Sequence, residues 1–236
     1  MFLQYFLMAA GTLRANKLRT ALTRLGMVIG VFSVIASVTA VQVIDDYFTD
    51  AFAGIGATTF FVQKYPAFNM GPIDASIRNR PDLTYEQLEQ LRRRVRLAAA
   101  VSPDEHFETT EIKFGDQETP PKIALRGVDE EWALNSGYEV AEGRFLTAND
   151  VRYARPVIVL PQPIADELFI YESPLGKTVL ADGRRYQVIG LLEAKGSILG
   201  ESQDELVLAP ITTLFAVYGG ASVRNIGFDV RATNMT

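Results

Sequence analysis

Leu25–Ile44 reads LGMVIGVFSVIASVTAVQVI, a run without charge whose one side-chain amide is Gln42. At about 1.5 Å of rise per residue, a helix of that length crosses about 30 Å, the hydrocarbon thickness of a bilayer. Arg24 stands at one end, and Asp45 and Asp46 at the other. Arg14, Lys17, Arg19 and Arg24 all precede the run, and no acid does. The positive-inside rule then puts the N-terminus in the cytoplasm and everything after residue 44 outside it. Val38-Thr39-Ala40 also fits a signal-peptide cleavage site, but the stretch before the apolar run is too long for one, and a retained anchor is the reading. The expected organisation is a cytoplasmic segment (1–24), a transmembrane helix (25–44) and an extracytoplasmic domain (45–236).

Charge follows the same division. The chain carries −5 overall, so a head of +4 leaves −9 on residues 45–236. An acidic body has no surface that releases counterions from phosphates, so no nucleic acid is expected as a partner. The absence of cysteine excludes disulfides, thiol catalysis and cysteine-based zinc sites.

Within the span, Gly26, Gly30, Ser33, Ser37 and Ala40 alternate at spacings of four and three, which lines small side chains along one helical stripe. Such stripes let helix backbones approach closely in lipid, and Gly26-xxx-Gly30 fits the GxxxG pattern. Gly26, Gly30, Ser33 and Ser37 are the helix-packing candidates. Upstream, Phe2, Leu3, Phe6, Leu7, Ala10 and Leu13 recur at helical spacing ahead of the basic residues. They read either as an amphipathic helix on the cytoplasmic membrane face or as a continuous helix running into the span.

The body alternates strand and helix signals. Gly54-Ile55-Gly56 reads as a turn before a strand at Thr58–Gln63, and Pro66, Gly71 and Pro72 mark a loop. Thr84 and Gln87 form a capping-box pair ahead of Leu88, Leu91 and Val95. Strands are expected at 107–114 and 122–128 around a turn at Gly115–Pro121. Thr147 and Asp150 open a short helix, 156–160 is a buried strand, and Ile164, Ala165, Leu168 and Phe169 make a helical face. Thr178–Leu192 is a hairpin around Asp182-Gly183. Leu206–Leu208 is a short strand, Pro210 suits the first turn of a helix carrying Leu214, Phe215 and Tyr218, and Ile226, Phe228 and Val230 alternate as a last strand. The class is α+β.

No reaction centre emerges, and neither a metal nor a cofactor is expected. Gly176-Lys177-Thr178 lacks the earlier glycine and the following helix of a phosphate-binding loop. His106 is the only histidine, and a lone imidazole makes neither a metal site nor a catalytic set. Glu201, Asp204 and Glu205 lack calcium-loop spacing and read as a solvated charged loop. Trp132 reads as core packing or an interface contact.

Several runs together resemble MacB-like and FtsX-like ABC-transporter permeases. Arg14, Asn16, Lys17, Arg19, Leu22, Thr23, Leu25 and Gly26 match the basic stretch that enters the family's first membrane helix. Gly143-Arg144-Phe145 with Asp150 resembles its "GRxF…D" element, Leu168-Phe169 with Pro174–Lys177 its "LF…PLGK", and Tyr186–Gly190 its "xxVIG" strand. The resemblance implies a first membrane helix, then an extracytoplasmic core with porter-like and sabre-like subdomains, in a bacterial inner membrane. The sequence stops before the family's three later membrane helices and lacks the fused ATPase of the namesake. The expected partners are an ABC ATPase on a separate chain, a second permease subunit, a periplasmic adaptor protein and membrane lipid. The expected role is mechanical, coupling ATP hydrolysis elsewhere to export or extracytoplasmic work, and the chain itself is not expected to be an enzyme. The polar loop Ser197–Glu205, with Ser197, Glu201 and Asp204, is the candidate contact for adaptor or substrate. The alternatives are a single-span anchored binding or sensory domain and, with no catalytic set to support it, an anchored hydrolase.

Overall fold

The structure, a computed structural model, describes residues 17–53, 59–65, 74–198, 201–219 and 226–233. The segment at 2–13, the Gly54-Ile55-Gly56 turn and the loop at 66–72 lie outside them. The chain forms two units, residues 1–52 and 53–236.

In the first, α1 runs from Lys17 to Ala53. The expected span is thus the middle of a longer helix, and the basic residues from Lys17 continue into it. Nothing in Asp45–Ala53 stops a helix, because neither glycine nor proline occurs there before Gly54.

The second unit is mixed α+β. Its first half holds β1 (Thr59–Val62), α2 (Ala75–Arg78), α3 (Tyr85–Arg94), β2 (Ala98–Thr110), β3 (Ile112–Phe114), β4 (Gln117–Glu118), β5 (Ile123–Val128) and α4 (Trp132–Ser136). Then come β6 (Val140–Gly143), α5 (Ala148–Arg152), β7 (Val157–Pro161), α6 (Gln162–Leu168), β8 (Thr178–Ala181) and β9 (Arg184–Leu192). The short β10 (Ser197–Ile198) and β11 (Glu201–Ser202), β12 (Leu206–Pro210), α7 (Ile211–Tyr218) and β13 (Gly227–Ala232) complete it.

The main sheet runs β1-β13-β2-β5-β12-β7-β9-β8-β3-β4, with β6 also on β9. Strand β2 belongs to two parts of it. Residues from Ala98 to Asp104 pair antiparallel with β13, and those from Glu105 to Thr110 with β5, across a bulge between His106 and Glu108. Because β3 follows β2 after Glu111 yet pairs with β8, the larger part curls back towards its own first strand. The Asp182 amide donates to Thr110 Oγ1 (3.2 Å) across that approach.

The central strands are covered on both faces. In β7, Ile158 and Leu160 enter one hydrophobic cluster and Val157 and Val159 another; in β12, Val207 and Ala209 face the first, Leu206 and Leu208 the second. This two-sided burial explains the unbroken apolar runs in the sequence. Burial of each Val, Leu or Ile among them contributes roughly 1.5–3 kcal/mol of transfer free energy.

Both capping boxes form. Thr84 accepts from the Gln87 amide and Gln87 from the Thr84 amide; Thr147 and Asp150 do the same. The hairpin turn has positive φ at Asp182 (49°) and Gly183 (68°), the conformation of a tight type I′ turn. Three expectations shift. Strand β2 begins nine residues before Phe107, at Ala98, and β4 lies inside the expected Gly115–Pro121 turn. Pro210 ends β12 and caps α7 from outside rather than sitting in its first turn.

Candidate functional site

The candidate site is built around the change of partner in β2. On the side of β13 that carries Asp229, the short α4 lies across the strands. Asn135 Nδ2 donates to Ser102 Oγ (2.7 Å) on β2 and to the Asp229 carbonyl (3.0 Å) on β13. Trp132 Nε1 donates to Asp104 Oδ2 (3.0 Å), and Arg126 Nη2 on β5 lies 2.7 Å from Asp104 Oδ1. Asp229 is buried, and its carboxyl is hydrogen-bonded to Ser136. Burial first, and then the charge of Asp104, push it up to about 8, against the pull of Arg126.

A second ion pair ties α3 to the end of β5. Arg92 bonds Asp129, Glu89 at 2.9 Å and the Val101 carbonyl. Burial pushes the Asp129 carboxyl up to about 7, with Arg92 opposing. Arg92 is moved upward by the same pair, and since a guanidinium does not give up its proton, any proton taken up by the pair goes to Asp129.

The expected contact loop joins this network. Ser197 pairs with Ser202, and Ile198 with Glu201, as a two-stranded ribbon. Ser197 and Ser202 are exposed. Asp204 is buried, and its carboxylate accepts from the backbone amides of Lys195 (2.9 Å) and Gly196 (2.8 Å). Asp204 therefore shapes the loop from inside rather than standing in solvent. Lys195 Nζ lies 4.0 Å from the centre of the Tyr138 ring and donates to the Ser136 carbonyl (2.6 Å). Burial pushes the Lys195 ammonium down, Asp204 opposing. Tyr138 stacks on Trp132 with ring centres 5.1 Å apart and donates its hydroxyl to the Gln203 carbonyl (2.7 Å). Contacts thus run unbroken from the loop through Tyr138 and Trp132 to Asp104.

The helix candidates lie elsewhere. Gly26, Gly30, Ser33 and Ser37 are exposed on α1, and a Cβ added at Gly26 or Gly30 would meet nothing within 4 Å. His106 Nε2 lies 3.1 Å from Thr109 Oγ1. Among the described residues, no group of three or more His, Cys, Asp or Glu could hold a metal ion.

The GRF element serves close packing. A Cβ at Gly190 would sit 2.2 Å from the Arg144 carbonyl oxygen, and one at Gly143, whose φ is +76°, 2.5 Å from the Ile189 oxygen. Arg144 then pairs with Asp150 (2.6 Å). Burial pushes Asp150 up, but bonds from Arg144 and Thr147 outweigh it and hold the carboxyl at about 2.

The family model of the MacB-like periplasmic core domain matches residues 20–235. The chain belongs to that family. The MacB-like core domain is 30% identical over 227 residues to the macrolide export ATP-binding/permease protein MacB of Syntrophobacter fumaroxidans, covering 96% of this chain and 31% of that protein. It is 32% identical over 232 residues to the MacB protein of Hyphomonas neptunium, covering 96% of this chain and 34% of the relative. The chain therefore spans about a third of the length of these curated relatives. Its fold is that of the crystal structure of the periplasmic region of MacB from Actinobacillus actinomycetemcomitans, with a TM-score of 0.64, 23% identity, and coverage of 78% of this chain and 79% of that one. The extracellular domain of the ABC-type transporter YknZ from Gram-positive bacteria shares the fold at a TM-score of 0.54 and 24% identity, covering 67% and 77%. The family resemblance read from the sequence is thus met, as is an α+β domain with an N-terminal apolar helix.

Sequence reasoning missed Asp104, Arg126, Asn135, Lys195 and Asp229. Asp229 falls on the polar side of the alternation Ile226, Phe228, Val230, which ordinarily faces water. Among the described residues α4, five residues long, lies against that side, and a helix that short leaves little periodicity to read.

Proposed function

We propose that the chain is the first membrane helix and extracytoplasmic core of an ABC-transporter permease, driven by an ATPase on a separate chain. On this reading, residues 1–24 are cytoplasmic, 25–44 cross the inner membrane and 45–236 stand outside. The observation that carries it is the family match, which begins inside α1 and continues to residue 235. Gly26, Gly30, Ser33 and Ser37 pack against another helix of the assembled permease, a second subunit included. The loop around Ser197, Glu201 and Asp204 meets an adaptor or substrate, and movement passes between loop and sheet through Tyr138 and Trp132.

The experiment uses the absence of native cysteine. A single cysteine at Asp116 is treated with a membrane-impermeant maleimide on spheroplasts. Labelling from outside is expected, and labelling only after lysis rejects the orientation. In the same cells an ATPase should co-purify with the chain, and Gly30→Leu should reduce its recovery severalfold. Undiminished recovery of ATPase with Gly30→Leu rejects the packing role.

A further inference from the structure

Leu91–Leu97 reads LRRRVRL and closes α3. Its four arginines divide into two groups. Arg92 turns inward to Asp129 and the Val101 carbonyl. Arg93, Arg94 and Arg96 are exposed and have no ion pair among the described residues. Leu97 beside them is 62% exposed. The helix macrodipole favours arginine in the last turn, but Arg96 lies past the C-cap residue Val95. Three exposed guanidiniums within four positions form a local concentration of positive charge that repels itself, and an anionic partner would relieve that repulsion, even though the body as a whole carries −9.

The group has a definite place in the domain. The Thr233 amide donates to the Leu97 carbonyl (2.8 Å), Ala98 lies opposite Ala232, and Thr59 lies opposite Arg231. The basic cluster therefore shares one end of the sheet with the first residue of β1. In the sequence, residues 54–58 separate that residue from the last residue of α1. A guanidinium fork matches phosphate oxygens in pairs, and a leucine at its side suits the layer where headgroups meet acyl chains.

We propose that Arg93, Arg94, Arg96 and Leu97 form a docking patch for the phosphate groups of anionic phospholipid in the extracytoplasmic leaflet. The patch rests on the reading of α1 as a membrane helix. For the test, the full chain is reconstituted in nanodiscs of phosphatidylcholine alone or mixed with phosphatidylglycerol, with a spin label on a single Gln90→Cys. Collision with a water-soluble nickel relaxant should fall at least about twofold in the anionic discs and recover in high salt. The added substitutions Arg93→Gln, Arg94→Gln and Arg96→Gln should abolish the fall, with Trp132 fluorescence unchanged to confirm the fold. Equal collision rates in both discs, or a fall that survives the triple substitution, would overturn the patch. A label at Ile35→Cys separates the two readings. If it is shielded from nickel while Gln90 shows no lipid dependence, only the patch fails; if it is open to nickel, the membrane helix and the patch fail together.

Discussion

Trp132 donates its indole N–H to Oδ2 of Asp104 at 3.0 Å, and so pins α4 over the place where β2 passes from one partner strand to another. Trp132→Phe keeps most of the ring's packing and removes the donor from a largely buried carboxylate. The expected loss is about 1–3 kcal/mol in a denaturant titration followed by circular dichroism. No change in the midpoint would mean that the bond contributes nothing net.

Arg92 and Asp129 allow a double-mutant cycle. Asp129 is 1% exposed and Arg92 22%, so at pH 8, where Asp129 is ionised in the native pair, Arg92→Met alone strands a buried carboxylate. The expected cost is about 2–4 kcal/mol, discounted for the partly open arginine. Asp129→Asn alone strands the guanidinium but keeps an acceptor for the Glu131 amide, which now donates to Asp129 Oδ1 (3.0 Å). The double variant should be less destabilised than the two single costs combined, since neither charge is then left alone. Strict additivity would reject the coupling.

The carboxyls make stability depend on pH in two directions. In the folded chain Asp229 keeps its proton up to about 8 and Asp129 up to about 7, whereas unfolded they lose it near 3.8. Between those limits the folded state binds more protons, so this contribution is fully present below pH 4 and is lost as pH rises through 7 to 8. Asp150 behaves oppositely: held at about 2, it contributes above pH 4 and is lost as pH falls through 2. The melting temperature should therefore fall from pH 5 to pH 8.5, and Asp229→Asn should flatten much of that slope. An unaltered slope in that variant would show that Asp229 does not titrate in this window.

Much of the domain was legible because local rules and packing agree. Thr84 with Gln87 and Thr147 with Asp150 announced helix starts that the structure keeps. Asp182-Gly183 fixed a hairpin through its turn, and 156–160 read as a strand buried on both faces. The polar core was not legible. Asp104 and Asp229 are distant in sequence and become neighbours only because β2 and β13 pair, and no spacing of residues encodes that. Asp204 misled for a related reason: a carboxylate bonded to the amides of its own loop looks, in sequence, like any solvated acid.

Gly190 offers the sharpest steric test. Gly190→Ala would drive a methyl group against the Arg144 carbonyl, backbone that cannot swing aside. A loss of about 2–4 kcal/mol is expected, with the Arg144–Asp150 pair displaced. A crystal structure of a fully stable Gly190→Ala chain would contradict the contact.

The antiparallel arrangement of β1, β13 and β2 has a mechanical consequence. Thr59 and Ala232 emerge at the same end of the ribbon. Forces that spread those two exits apart would open the β1–β13 seam as a zipper, one rung at a time. A tug on both exits in the same direction would instead load the β13–β2 seam in shear, with its rungs sharing the strain. The domain should yield readily to the first kind of load and resist the second.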